Sequence, residues 1–158
     1  MGAPEQPSEA NAYLADHVAR LGNSFYHWTG RSLFDPRMTP QEAARYLFHA
    51  PFAVVSHDHR PDPVFNYGNQ TALALFGMRW EEFTALPSRL SAERQERAAR
   101  ERLLAAVAER GYVDDYRGIR IARHGRRFLI ERATVWNVLD AQSRPCGQAA
   151  YFTEWRWL

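Results

Sequence analysis

Apolar residues recur every three or four positions in the first third of the chain and every second position in the last third, so the sequence predicts helices first and a sheet later. Leu14, Val18, Leu21, Phe25 and Trp28 step by four and three, the stripe of a helix that Ser8 can cap. Such a stripe packs either on the chain's own domain or on a second copy. Thr39-Pro40-Gln41-Glu42 is a strong helix start: Thr39 can cap, Pro40 has the right φ for the first turn, and Glu42 can return a bond to the cap. Pro51 ends that helix near Ala50.

Residues 52–56 then read as a short buried strand, residues 57–63 as a polar turn and residues 64–67 as a second strand. Asn69 can cap a short helix over residues 70–76, with Gly77 as its left-handed exit, and residues 79–85 can add another helical turn. Ser91 can cap a long helix to Arg110 with Leu103, Leu104 and Val107 turned inward and Gly111 as its stop. From Tyr112 onward the pattern alternates as three strands, over residues 112–122, 127–139 and 147–155, with turns at Arg123-His124-Gly125 and residues 141–145. The sum is an α+β domain: a five-stranded antiparallel sheet with helices on one side and an N-terminal helical extension. We divide it into a frayed stretch, 1–7, the extension, 8–50, and the domain proper, 51–158.

That order is similar to the PAS fold, and three stretches carry a closer likeness: FNYGNQTALALFG (Phe65 to Gly77), GIRIARHGRRFLIERATVWNVLD (Gly118 to Asp140) and GQAAYFTEW (Gly147 to Trp155). Together they resemble the MEKHLA family, from about Tyr13 to Leu158. The resemblance implies a PAS-like sensory or protein-interaction module. PAS domains that sense light through flavin carry a cysteine in the helix after the Asn-initiated one, whereas residues 78–90 contain none. Haem-binding PAS domains usually ligate iron from a histidine on the long helix, and residues 91–110 contain none. No cofactor is therefore expected: flavin and haem are both disfavoured, which leaves room for an unidentified small molecule.

Charge changes this picture little. The 20 basic side chains, all arginine, are nearly balanced by 18 acidic ones, which argues against a nucleic-acid or membrane partner. Arg89, Arg94, Arg97, Arg100 and Arg102 interleave with Glu93, Glu96 and Glu101, the composition of a solvated helix face. The single cysteine, Cys146, forms no intrachain disulfide, no apolar run reaches the roughly 20 residues of a spanning helix, and residues 1–10 lack a signal-peptide pattern, so a cytoplasmic location is expected.

Catalytic motifs are missing: there is no Gly-x-Ser-x-Gly elbow and no phosphate-binding loop. His57-Asp58-His59 with Asp62 is an incomplete ligand set, better read as a solvated turn than as a metal site. In the last hairpin, glycine at the third loop position of Arg123-His124-Gly125 suits a three-residue turn, and that register sets Arg117 opposite Glu131. Strict alternation would place the pair with Ile119, Leu129, Ala133 and Val135 on the face turned toward the helices. The other face would then bear Tyr116, Phe128, Ile130, Thr134 and Trp136 and need cover from the N-terminal helix or a second subunit.

The candidate pocket is accordingly Asn69, Phe76, Arg117 and Glu131, in a non-catalytic module that binds a small ligand or a partner chain and forms a homodimer. Any signal is expected to pass through a protein partner. Two rivals are an enzyme on a ketosteroid isomerase-like cone using Glu131 or Asp115, and a structural dimerisation module with a closed core.

Overall fold

In the computed structural model, which describes residues 4–158, helix α1 spans Ala15–Thr29. It does not start from Ser8. The Ser8 N–H donates to Asn11 Oδ1 (2.9 Å) and the Ser8 carbonyl accepts from Tyr13 N–H (2.8 Å), closing a 3-10 turn over Glu9–Leu14. Ala12, Tyr13 and Leu14 leave that turn in left-handed backbone (φ 53, 54 and 57°), which no α-helix can continue. Residues 1–3 of the expected frayed stretch lie outside the described residues, whereas the Pro4 carbonyl accepts from Trp80 Nε1 at 2.8 Å.

Helix α2, Pro40–His49, begins as its sequence predicts: Thr39 Oγ1 accepts from the Glu42 N–H (3.2 Å) and Glu42 Oε1 from the Thr39 N–H (2.8 Å). Strands β1, Ala53–Asp58, and β2, Phe65–Gly68, form the first hairpin. Helix α3, Gln70–Phe76, is capped by Asn69 and left through Gly77 at φ 68°; the four-residue α4, Trp80–Phe83, follows. Helix α5 spans Arg97–Arg110, later than expected, because the Ser91 hydroxyl donates to the Ser88 carbonyl (2.6 Å) inside a 3-10 turn instead of capping the helix. Strands β3, Tyr112–Ile121, β4, Arg127–Leu139, β5, Pro145–Phe152, and β6, Glu154–Trp157, complete the chain.

All strand pairs are antiparallel, in the order β2-β1-β5-β4-β3, and β6 continues β5 along β4. Valine and tryptophan at successive positions of β4 point to opposite faces. Val135 packs with Leu103 and Val107 of α5, while Trp136 meets Phe25 of α1 at 4.9 Å and donates to Ser24 Oγ at 3.1 Å. The sheet is therefore covered twice. The α1 stripe, with Val18, Leu21 and Phe25 at most 2% exposed, lies on the chain's own sheet. Of the two packings open to this stripe, on the chain's own domain or on a second copy, the first is the one observed.

The last hairpin has the register expected from its turn. Ile119 pairs with Leu129 and Arg120 with Phe128, and both His124 and Gly125 take positive φ in the three-residue loop. Its faces, however, are not those of strict alternation. Asp115 (φ 57°) and Arg132 (φ 54°) are single left-handed residues inside β3 and β4, and the chain breaks between β5 and β6 at Thr153 on the same line across the sheet. Each left-handed residue shifts the alternation by one. Tyr116 therefore pairs with Ala133, and Phe128, Ile130, Ala133 and Val135 all face inward.

Candidate functional site

The inner face of the sheet, α3 and α5 line a half-open cavity of about 70 Å³. Its apolar wall comes from Phe65, Phe76, Leu103, Ile130 and Phe152, each brought inward by alternation on a strand or by the inner stripe of a helix. Its polar groups are Ser56 and His57 on β1, Ser88 and Ser91 on the 3-10 turn, Arg100 on α5, Tyr116 and Arg120 on β3, and Gln148 on β5. No carboxylate lines it.

Arg100 is the unusual member, at 4% exposed. It stands three and seven residues before Leu103 and Val107, which puts its side chain on the helix stripe that faces the sheet. The guanidinium donates to Ser88 Oγ and, at 3.4 Å, to Glu101 Oε1, whose side chain is 72% exposed. A buried charge with only a solvated counter-ion at its rim is costly. Burial and the neighbouring Arg120 charge both lower the Arg100 pKa from its ordinary value.

Arg120 reaches the cavity along the inner side of β3. The Tyr116 ring lies over Gly118, where a Cβ would collide with the tyrosine hydroxyl, and the Arg120 guanidinium sits 5.5 Å from that ring's centroid. Its Nη1 donates to the Ile119 carbonyl at 3.0 Å. His57 Nδ1 is 2.8 Å from the Asp58 carbonyl, and a carbonyl only accepts, so Nδ1 carries the proton. Nε2 is buried without a partner. Burial, helped by the Arg100 charge, lowers the His57 pKa, while the Asp58 carbonyl opposes the shift; the ring is neutral and Nε2 is a bare acceptor.

The cavity is tied to the rest of the fold at the end of α5. The Asn137 side chain donates to the Val107 carbonyl (3.0 Å) and accepts from Gln148 Nε2 (3.1 Å), which also donates to the Leu104 carbonyl (3.2 Å). On the far side, Trp28 Nε1 donates to the Asn137 carbonyl at 2.9 Å.

Of the four residues chosen from sequence, Phe76 lines this cavity. Asn69 does not: its Oδ1 accepts from the Ala72 and Val54 N–H groups, and its Nδ2 donates to the Leu47 and Phe52 carbonyls. It brackets α3 to β1 with nothing left over for a ligand. Arg117 and Glu131 do meet, at 3.8 Å, but on the solvent side, 66% and 37% exposed, where Arg156 also reaches Glu131 at 3.7 Å. The face shift at Asp115 and Arg132 carried the pair outward. Asp115 is exposed as well, so neither carboxylate of the enzyme reading reaches the cavity.

The missed residues are Arg100, Arg120 and His57. The spacing of Arg100 to Leu103 and Val107 was a usable signal; Arg120 and His57 gave none without the face assignment. Asp58, from the His57-Asp58-His59 turn, accepts from Arg60 (2.7 Å) and the Val64 N–H (3.1 Å), and among the described residues no His, Cys, Asp and Glu cluster suits a metal ion. Burial raises the Cys146 pKa, which makes the thiol a poor nucleophile. No helix among the described residues is long and apolar enough to cross a membrane.

Comparison with known proteins agrees with this architecture. The family model of the MEKHLA domain matches residues 15–157. No curated protein matches the sequence. Among solved structures, the PAS domain of a protein from Colwellia psychrerythraea superposes with a TM-score of 0.60 at 15% identity, covering 73% of this chain and 92% of that one. An RNA-binding light-oxygen-voltage receptor gives 0.59 at 20% identity, over 77% of this chain and 34% of that one. A light-oxygen-voltage protein of Rhodobacter sphaeroides gives 0.57 at 13% identity, over 72% and 63%. At these identities the likeness concerns the fold alone: a PAS-like α+β fold with an antiparallel sheet and an N-terminal helical extension.

Proposed function

The chain belongs to the MEKHLA domain family, and from that membership, the PAS-like fold and the inner cavity we propose a non-catalytic sensory module that binds a small ligand between the sheet and α5. The observation that carries the reading is the pairing of an apolar wall with buried, under-partnered polar groups, Arg100 and His57 Nε2, at one cavity. A closed structural core would have no use for either. The larger groove between α1 and residues 32–43 holds no charged side chain and offers a ligand no comparable anchor.

The cavity has room for roughly five waters, enough for a small organic molecule and too little for a flavin ring or a porphyrin as the side chains stand. Ligand occupancy would be felt by α5 and relayed through Asn137 to α1 and so to a partner protein. Native mass spectrometry of the purified full chain tests the reading. A co-purified small molecule that is lost when Ala133 is replaced with Phe to fill the cavity supports it. Ligand-free protein from every expression medium tried, with no saturable response to added small molecules, would remove it.

A further inference from the structure

Among the cavity's polar groups two kinds are under-partnered and are not interchangeable. Arg100 and Arg120 are donors only and carry positive charge, with no carboxylate among the lining residues to meet them. The nearest acid, Glu101, has its side chain largely in water. His57, its Nδ1 proton committed to the Asp58 carbonyl, presents an acceptor that no protein donor reaches. The remaining wall, from Phe65, Phe76 and Ile130, is hydrocarbon. A ligand that satisfies all three parts needs a negative end, a separate hydrogen-bond donor and a short apolar body.

We propose that the cavity binds a small hydroxycarboxylate, its carboxylate held by Arg100 and Arg120, its hydroxyl donating to His57 Nε2, and its carbon chain against Phe65, Phe76 and Ile130. This rests on the ligand-binding reading above and adds the chemical class. Guanidinium forks match a planar carboxylate better than an isolated ammonium would. The volume limits the ligand to a few carbons. Ser88, whose hydroxyl accepts from Arg100, and Ser91, whose hydroxyl donates to the Ser88 carbonyl, fix the guanidinium from the side of the 3-10 turn.

The test is titration of the full chain, freed of any co-purified ligand, with glycolate, lactate and 2-hydroxybutyrate, followed by melting temperature and calorimetry. Acetate, propionate and butyrate lack the hydroxyl, lactamide lacks the charge, and inorganic phosphate is a compact anion without a carbon chain. The hydroxy acids should raise the melting temperature in a saturable way, and each should bind roughly tenfold tighter than its unhydroxylated counterpart or lactamide. Arg100→Gln should abolish the shift; should that variant fail to fold, Arg120→Gln should weaken binding at least roughly tenfold. His57→Phe should erase the advantage of lactate over propionate, and Arg117→Gln, on the outer face, should change nothing.

Equal effects of lactamide and lactate, or of phosphate and lactate, would overturn the carboxylate assignment, as would the absence of any shift. A neutral or cationic molecule found in the cavity by native mass spectrometry would overturn this proposal and leave the ligand-binding reading standing. No co-purified molecule together with no response to the acids would remove both.

Discussion

Trp28 and Asn137 are joined through the sheet's outer side: the indole Nε1 of α1 donates to the strand carbonyl at 2.9 Å. From the same residue the Asn137 side chain crosses to the inner side and meets the Val107 carbonyl of α5 at 3.0 Å. One position of β4 thus holds both helices that cover the sheet. Replacing Asn137 with Leu would leave one Gln148 donor unsatisfied in a buried site and take one of two donors from the Val107 carbonyl, which keeps the Gly111 N–H at 2.8 Å, at a cost of about 1–3 kcal/mol. Urea denaturation measures it, and a loss below a few tenths would mean that water replaces the amide.

Gly111 ends α5 at φ 95°, and a Cβ there would collide with the Trp28 ring. Gly111→Ala should therefore lose more stability than a positive-φ glycine alone explains, about 2–4 kcal/mol in total. The double variant Gly111→Ala, Trp28→Ala should be less destabilised than the sum of the two single changes. Additivity of the two would show that the ring moves aside without cost.

Glu131→Gln should cost no more than about 1 kcal/mol, because Glu131, Arg117 and Arg156 meet in solvent. A double-mutant cycle between Arg117 and Glu131 should give a coupling of the same small size, falling further in salt. A coupling of several kcal/mol would contradict the outward placement.

Burial, reinforced by the positive charge of Arg20, lowers the His17 pKa from 6.5 to about 4. The folded state therefore resists protonation that the unfolded chain accepts below its own pKa of 6.5. Stability is present in full above pH 6.5 and falls as the pH drops toward 4, by about 3 kcal/mol at most for this one group. His57 is shifted in the same direction and adds to the slope. His17→Gln, which can still bond to Ser56 Oγ, should flatten the stability profile between pH 6.5 and 4.5. An unchanged slope would show that His17 is hydrated.

Local signals in the sequence carried much of the architecture. Thr39 with Glu42, Asn69 with Gly77, and the glycine of the 123–125 loop each name a backbone geometry that few other residues supply, and each holds in the fold. The site was less legible for two physical reasons. The Arg and Glu residues of α5 alternate as they would on a solvated helix, so burial of Arg100 shows only in its phase relative to Leu103 and Val107. The cavity face of β3 and β4 depends on Asp115 and Arg132 taking left-handed backbone; aspartate is only enriched there and arginine gives no sign of it at a strand interior. Counting by twos from either end of the hairpin then assigns half of it to the wrong side.

Two backbone angles therefore act as a switch of identity for a whole hairpin. A β-branched residue at position 115 or 132 would be held out of the left-handed region. A chain with such residues at both positions could keep the same strand order and the same turn yet offer its interior Arg117, Ile119, Leu129 and Glu131 in place of Tyr116, Arg120, Phe128 and Ile130. Relatives could thus diverge in what they bind through substitutions at positions that do not themselves line the cavity.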